Sequence, residues 1–286
     1  MSPRRVVPLS LALGALLGAV EARAQYREPW TGAGITARQE TGHNQVLVAA
    51  RPAPNPAAGG QPAAVERGGA AAFTVRVENL SRGEALSLSD GRRAPFVIAP
   101  VLWVIHTGRN PIFTGGRPDA GKGLEQLAEE GNPEPLAAAL RHEPAVVAVG
   151  VAATPAGARA DGPLTPGTAY EFGLTAEPGQ FLSLAAMFGQ SNDWFYANDR
   201  PIALFDAGGR PVGGDLTPQI ALFDAGTEVD EEPGLGPNQA PRQKAPNQGA
   251  PEREGIARAG GRFAYPRTAD VFRLTITPRA GAVSAR

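Results

Sequence analysis

The chain has no cysteine, only three histidines and no excess charge of either sign: 27 basic residues stand against 28 acidic ones across 286 residues, a formal net charge of -1. The missing cysteines exclude a disulfide scaffold, a thiolate zinc site and a cysteine nucleophile. His43, His106 and His142 are too widely spaced to outline a zinc enzyme from sequence. Balanced charge removes any sequence-wide attraction to nucleic acid or anionic lipid. No Gly-x-Ser-x-Gly elbow and no Gly-x-x-x-x-Gly-Lys phosphate loop is present. What remains is a chain with 42% hydrophobic and 19% charged residues, rich in Gly (36) and Pro (28). That composition lies just short of the range where disorder prevails, and it implies one folded domain with long loops.

The first residues point to export. Arg4 and Arg5 precede an uncharged apolar run from Val6 to Val20, followed by Ala22-Arg23-Ala24, the small-x-small pattern of a signal-peptide cleavage site. The run is short of the roughly 20 apolar residues of a membrane span, so residues 1–24 are expected to be a signal peptide removed before Gln25. No later segment is long and apolar enough to span a bilayer. The mature chain is therefore expected outside the cytoplasm, periplasmic or secreted.

Residues 25–69 carry Pro52, Pro54, Pro56 and Pro62 among Ala and Gly without a hydrophobic period, the composition of a loosely ordered arm. At Phe73-Thr74-Val75-Arg76-Val77-Glu78-Asn79 apolar and polar residues alternate, which predicts a strand with one buried face. Phe96 to His106 is apolar throughout and predicts a strand buried on both sides, with Pro100 at a bulge or at its entry. Leu124, Leu127 and Ala128 share a helical face, and Pro135 opens a second short helix through Leu140, both expected in a crossover. Further strands are expected at Ala145–Ala153, Tyr170–Thr175, Phe181–Met187 and Val271–Thr277. Seven or eight short strands with few helices predict an all-β antiparallel sandwich over residues 70–280, with 281–286 as a tail. Ile202-Ala203-Leu204-Phe205-Asp206-Ala207-Gly208 recurs as Ile220-Ala221-Leu222-Phe223-Asp224-Ala225-Gly226, read as two strand ends that each close in an Asp-x-Gly turn. Glu228 to Glu254 is a long loop.

Acidic residues gather at Asp193 and again at Asp224, Glu228, Asp230, Glu231 and Glu232. Carboxylates on strand-end loops suit a hard, oxygen-seeking cation such as calcium, although short acidic runs also serve simply to solvate a loop. Trp194 is expected to close the core, and His106 to be a structural histidine bonded to the adjacent loop. Glu125 and Glu129, one turn apart, read as a helix-surface pair. Ser183 and Ser191 would be nucleophiles only if a histidine approached them.

These pieces, in order, resemble the spondin N-terminal (F-spondin) domain family of animal matrix proteins and exported bacterial proteins. The likeness rests on Phe73 to Leu80, Pro100 to His106, Phe113-Thr114-Gly115-Gly116, Gly123 to Gly131, Leu182 to Met187, Asn192-Asp193-Trp194 and Asp224 to Glu228. It spans about Ala70 to Pro278, and Pro237 to Gly249 looks like a loop of the bacterial members. The resemblance implies a C2-like β-sandwich with a calcium ion held by Asp193, Asp224 and Glu228, where animal members tend to carry Asp in place of Glu228. It also implies a non-enzymatic extracellular role in adhesion or recognition, with a protein or glycan partner. Animal members have cysteines and further domains that this chain lacks. A different class stays open from the residues: an exported hydrolase pairing Glu129 with Asp193 or Asp224. So does an envelope component in which calcium is purely structural.

Overall fold

A computed structural model describes residues 46–47 and 69–279. Contacts divide the chain into Met1–Gln39 and Glu40–Arg286, and every described residue belongs to the second unit. The expected signal peptide and the C-terminal tail lie outside the described residues, as does the expected arm apart from residue 69 and one short strand, β1 (Val46–Leu47), which pairs with a strand of the domain.

The domain is all-β and sandwich-like. After β1 come β2 (Ala71–Asn79), β3 (Leu86–Ser87), β4 (Arg93–Ala94), β5 (Val101–His106), helices α1 (Leu124–Glu130) and α2 (Glu134–Leu140), β6 (Val146–Ala152), β7 (Ala169–Ala176) and β8 (Phe181–Met187). The chain continues through β9 (Trp194–Ala197), β10 (Ile202–Ala203), β11 (Gly214–Asp215), β12 (Ala221–Asp224), β13 (Ala257–Arg258), α3 (Thr268–Val271) and β14 (Phe272–Pro278). One sheet runs β1-β6-β5-β8-β9-β12-β13, with β10 paired to β8; a second runs β11-β14-β2-β7; β3 and β4 form a separate hairpin. Pairing is antiparallel throughout, so each strand can present one face to each side.

The alternation read in β2 is seen directly: Phe73, Val75 and Val77 are buried, and they pack with Tyr170, Phe172 and Leu174 of β7 and Phe272, Leu274 and Ile276 of β14. Against this face lie Val101, Trp103 and Ile105 of β5, with Leu182 and Leu184 of β8. Trp103 stacks on Phe172 at 5.6 Å between the sheets. That ring leaves no space beside it, since a Cβ on Gly150 of β6 would come within 2.3 Å of Trp103.

The uninterrupted apolar run of β5 has a second cause. Leu102 and Val104 point to the opposite face of the sheet, where Leu124, Leu127, Leu136 and Leu140 of α1 and α2 cover them together with Phe113, Phe195 and Phe223. The molecule is thus layered as sheet, sheet and helices, and the central strands β5, β8 and β9 of the larger sheet are buried on both faces. Pro100 sits immediately before β5, at its entry. The two helices do not cross between sheets; they lie in the connection between the adjacent antiparallel strands β5 and β6.

His106 ends β5 at a register shift and is fully buried. It bonds to Ser183 on the neighbouring strand β8, at 2.9 Å. Asn198 donates to the same hydroxyl at 3.1 Å. A histidine thus does approach Ser183, but His106, Ser183 and Asn198 are all 0% exposed, which keeps any substrate away. Burial holds the His106 pKa below its usual value. A histidine depressed in the folded state is protonated first in the unfolded chain, so its contribution to stability is present above pH 6.5 and is lost as pH falls below that value. In urea unfolding at pH 7.5 and pH 5, His106→Gln should remove part of the wild-type loss of stability on acidification. Parallel pH profiles for the two chains would contradict this.

Candidate metal centre

The carboxylates are assembled where β8 and β12 end and β9 begins. The turn between β8 and β9 is closed by Phe188 N–H donating to Trp194 O at 2.8 Å, and Ser191 accepts from Trp194 N–H at 3.0 Å while donating to Phe188 O at 2.7 Å. Ser191 is thus a turn staple. This turn places Asp193 at the start of β9, beside the end of β12, where Ala225 N–H donates to Asp193 O at 3.1 Å. Trp194 is 1% exposed, as expected of a residue closing the core, and its indole N–H reaches back to Asp230 at 2.6 Å.

Asp224 ends β12 in an Asx turn, with Oδ1 accepting from Gly226 N–H at 2.7 Å. Asp206 accepts from Gly208 N–H at 2.9 Å, so the repeated Ala-Leu-Phe-Asp-Ala-Gly words make the same turn twice. Only the second copy faces other carboxylates.

Asp193 is fully buried. Its Oδ2 accepts from the backbone N–H groups of Thr227 at 3.1 Å and Glu228 at 3.2 Å, while Oδ1 has no partner. The loop beginning at Glu228 folds back on its own start. Val229 N–H donates to Ala250 O at 2.8 Å, Glu252 N–H to Thr227 O at 2.9 Å, and Glu254 N–H to Gly226 O at 3.0 Å. This ladder brings Glu252 to the pair. Among the described residues, oxygens of Asp193, Asp224 and Glu252 lie within 4.8 Å of one another. Two ligands each about 2.4 Å from one calcium ion are at most about 4.8 Å apart, so the spacing fits a single hard cation.

Electrostatics lead to the same reading. Burial, then the charge of Asp224, hold the Asp193 carboxyl well above the usual carboxylate range. Asp224 is raised by burial, with Gly226 N–H opposing, and Glu252 is raised by burial and by Asp224. None of the ion pairs among the described residues includes any of the three. A dry carboxylate oxygen with no donor is costly as an anion, and a cation or a proton removes that cost. The donor set is all oxygen, which suits calcium or magnesium over zinc or copper.

Of the residues implied by the family resemblance, Asp193 and Asp224 are brought together, while Glu228 takes another place. Its N–H holds Asp193, and its own carboxylate turns to accept from Gly249 N–H at 2.7 Å. Glu252 takes the third position in the trio, and nothing in its local sequence marked it. Glu129 is not on the helix surface but 1% exposed, beneath the loop, with Gln243 donating to its carbonyl at 3.4 Å. With Glu129 and Asp193 both inaccessible, neither presents a carboxylate to a glycan or peptide chain. A cleft lined by Ala72, Trp103, Val147, Leu174, Glu177 and Arg279 contains none of these residues.

No family model matches the chain, and no curated protein is similar to it. Among the described residues no helix is long and apolar enough to cross a membrane.

Proposed function

We propose that the chain is an exported calcium-binding β-sandwich module that acts without catalysis, in adhesion or recognition of a protein or glycan outside the cytoplasm. The observation that carries this reading is the buried, unpartnered Oδ1 of Asp193 beside Asp224 and Glu252. A bound calcium supplies positive charge and bonds to oxygens from three separate segments. Asp193 belongs to the β8–β9 turn, Asp224 to the end of β12, and Glu252 to the return limb of the long loop, so their mutual repulsion loosens three segments at once when uncompensated. The ordered end of the sandwich is then the surface offered to a partner. The expected export rests on Arg4, Arg5 and the apolar run to Val20, and the adhesion role on the family likeness.

Asp224→Asn tests the site. It removes a ligand charge while retaining an oxygen able to accept from Gly226 N–H, so calcium affinity should fall by about 100-fold or more, roughly 2.7 kcal/mol, with the calcium-free fold intact. Unchanged affinity in calorimetry would refute the assignment.

A further inference from the structure

A cleft of about 440 Å³ opens between β6 of the larger sheet and β7 of the smaller one, within the roughly 300–1,000 Å³ of ligand pockets. Trp103, Val147 and Ala148 line it from one sheet, Leu174 and Ala176 from the other, and Val147 is 36% exposed. β7 is the edge strand of the smaller sheet, at the end of the order β11-β14-β2-β7. The direction of its backbone groups follows from the residues at its start. Thr168 O accepts from Asn79 N–H at 3.0 Å and so points toward β2, whereas Ala169 O points away and accepts from Ala156 N–H at 2.8 Å. Backbone direction alternates along a strand, so Gly173 and Thr175 also turn away from β2. Among the described residues neither has a backbone partner on that side, and both line the cleft. β7 has no Pro, no Lys and no bulge, the usual guards of an exposed edge.

The same edge carries two charges outside any ion pair. Phe172 and Leu174 face the core, so Gly173 faces outward, opposite Thr74 of β2. The Thr74 hydroxyl accepts from Arg279 Nε at 2.7 Å, and the Arg279 guanidinium reaches over Gly173, 3.3 Å from where a Cβ would stand. Glu177 follows β7 directly and lines the same cleft. None of the ion pairs among the described residues includes Arg279 or Glu177. We infer that the β7 edge is a docking site for an extended segment of a partner protein, added antiparallel beside β7, with an acid next to Arg279 and a base next to Glu177. The outward backbone groups of Gly173 and Thr175 hold the segment, as in strand addition to an open sheet edge. Its residues beside Leu174 and Ala176 face the cleft and are apolar; those beside Gly173 and Glu177 lie four residues apart and answer the two charges. Read along the segment, this is a base, an apolar residue, a polar one, an apolar one and an acid. The inference rests on the reading of the chain as a recognition module for its use, and on the edge itself for its chemistry, which needs no calcium.

The test uses the full chain in chelator, so the success or failure of the metal site does not enter. Its probe is a fluorescein-labelled peptide, Thr-Lys-Val-Thr-Val-Glu-Val-Thr, followed by anisotropy. The wild type should bind it saturably, and methylation of the peptide nitrogen of the central Thr, which lies beside Thr175, should weaken binding by about tenfold or more. Thr175→Pro should do the same, because it removes an outward N–H and no bond to β2; circular dichroism checks its fold. Arg279→Glu should weaken the probe by about fivefold and restore binding of a peptide with Lys in place of its Glu. Absence of binding, or equal binding of the methylated peptide, overturns the proposal. Slow exchange of Thr175 N–H in the free monomer does so too, since the chain itself then occupies the edge. A dimer in sedimentation that Thr175→Pro dissociates overturns it in favour of a second copy.

Discussion

Replacing Asp193 by Ala should destabilise the calcium-loaded domain by about 5–9 kcal/mol and abolish its response to calcium. Two losses combine. The side chain is the acceptor for Thr227 N–H and Glu228 N–H, and buried donors left without an acceptor cost about 1–3 kcal/mol each. The linkage contributed by a cation at a hundredfold its dissociation constant, about 2.7 kcal/mol, also disappears. Asp193→Asn separates the two roles, because an amide oxygen still accepts from both N–H groups while the ligand charge is gone. In urea unfolding with chelator, Asp193→Asn should lie within about 1 kcal/mol of the wild type while Asp193→Ala lies well below. Both should be insensitive to added calcium. If the two variants unfold together in chelator, Asp193 is not the residue that holds the loop.

Gly226→Val should have a comparably large effect for a backbone reason. Gly226 follows the Asx turn of Asp224 with φ +66°, a conformation that a β-branched residue adopts only under strain. Even a bare Cβ there would lie 2.9 Å from Glu254 O. The limb that would be displaced is the one that places Glu252. Strain and displacement together should cost about 2–4 kcal/mol, and calcium affinity should fall more than tenfold although no ligand is altered. Calorimetry on the folded variant checks the second part, and an affinity equal to wild type would mean that the 226–254 ladder does not position Glu252.

The sandwich was legible in the sequence where one face meets water. In β2 the alternation of Phe73, Val75 and Val77 with polar neighbours states both the strand and its buried side. In β5 the apolar run gave burial on both faces but not its cause, because the covering layer comes from Leu124 to Leu140, whose short helical pattern does not say which sheet face it meets. The two-residue strands β10, β11 and β13 are too short to carry a period. Asp193 and Asp224 stood out because each sits at a strand end and in a piece that carries the family likeness. Glu252 did not, because it is delivered by backbone pairing across a loop rich in Pro, Gly, Asn and Gln, and that pairing leaves no mark on side-chain pattern. Glu228 lies beside the trio, its N–H donating to Asp193 and its carboxylate accepting from Gly249 N–H, contacts across 35 and 21 residues that no local pattern shows. Glu129 read as surface because a helix pattern cannot reveal that a distant loop closes over it.

The most direct test is the thermal midpoint of the chain in chelator and then across a calcium titration, with magnesium as control. At a hundredfold excess over the dissociation constant, the linkage of about 2.7 kcal/mol should raise the midpoint by roughly 5–10 °C for a domain of this size. The account predicts a rise specific to calcium and absent in Asp224→Asn. A midpoint that does not move with calcium, or that moves equally in Asp224→Asn, would contradict it.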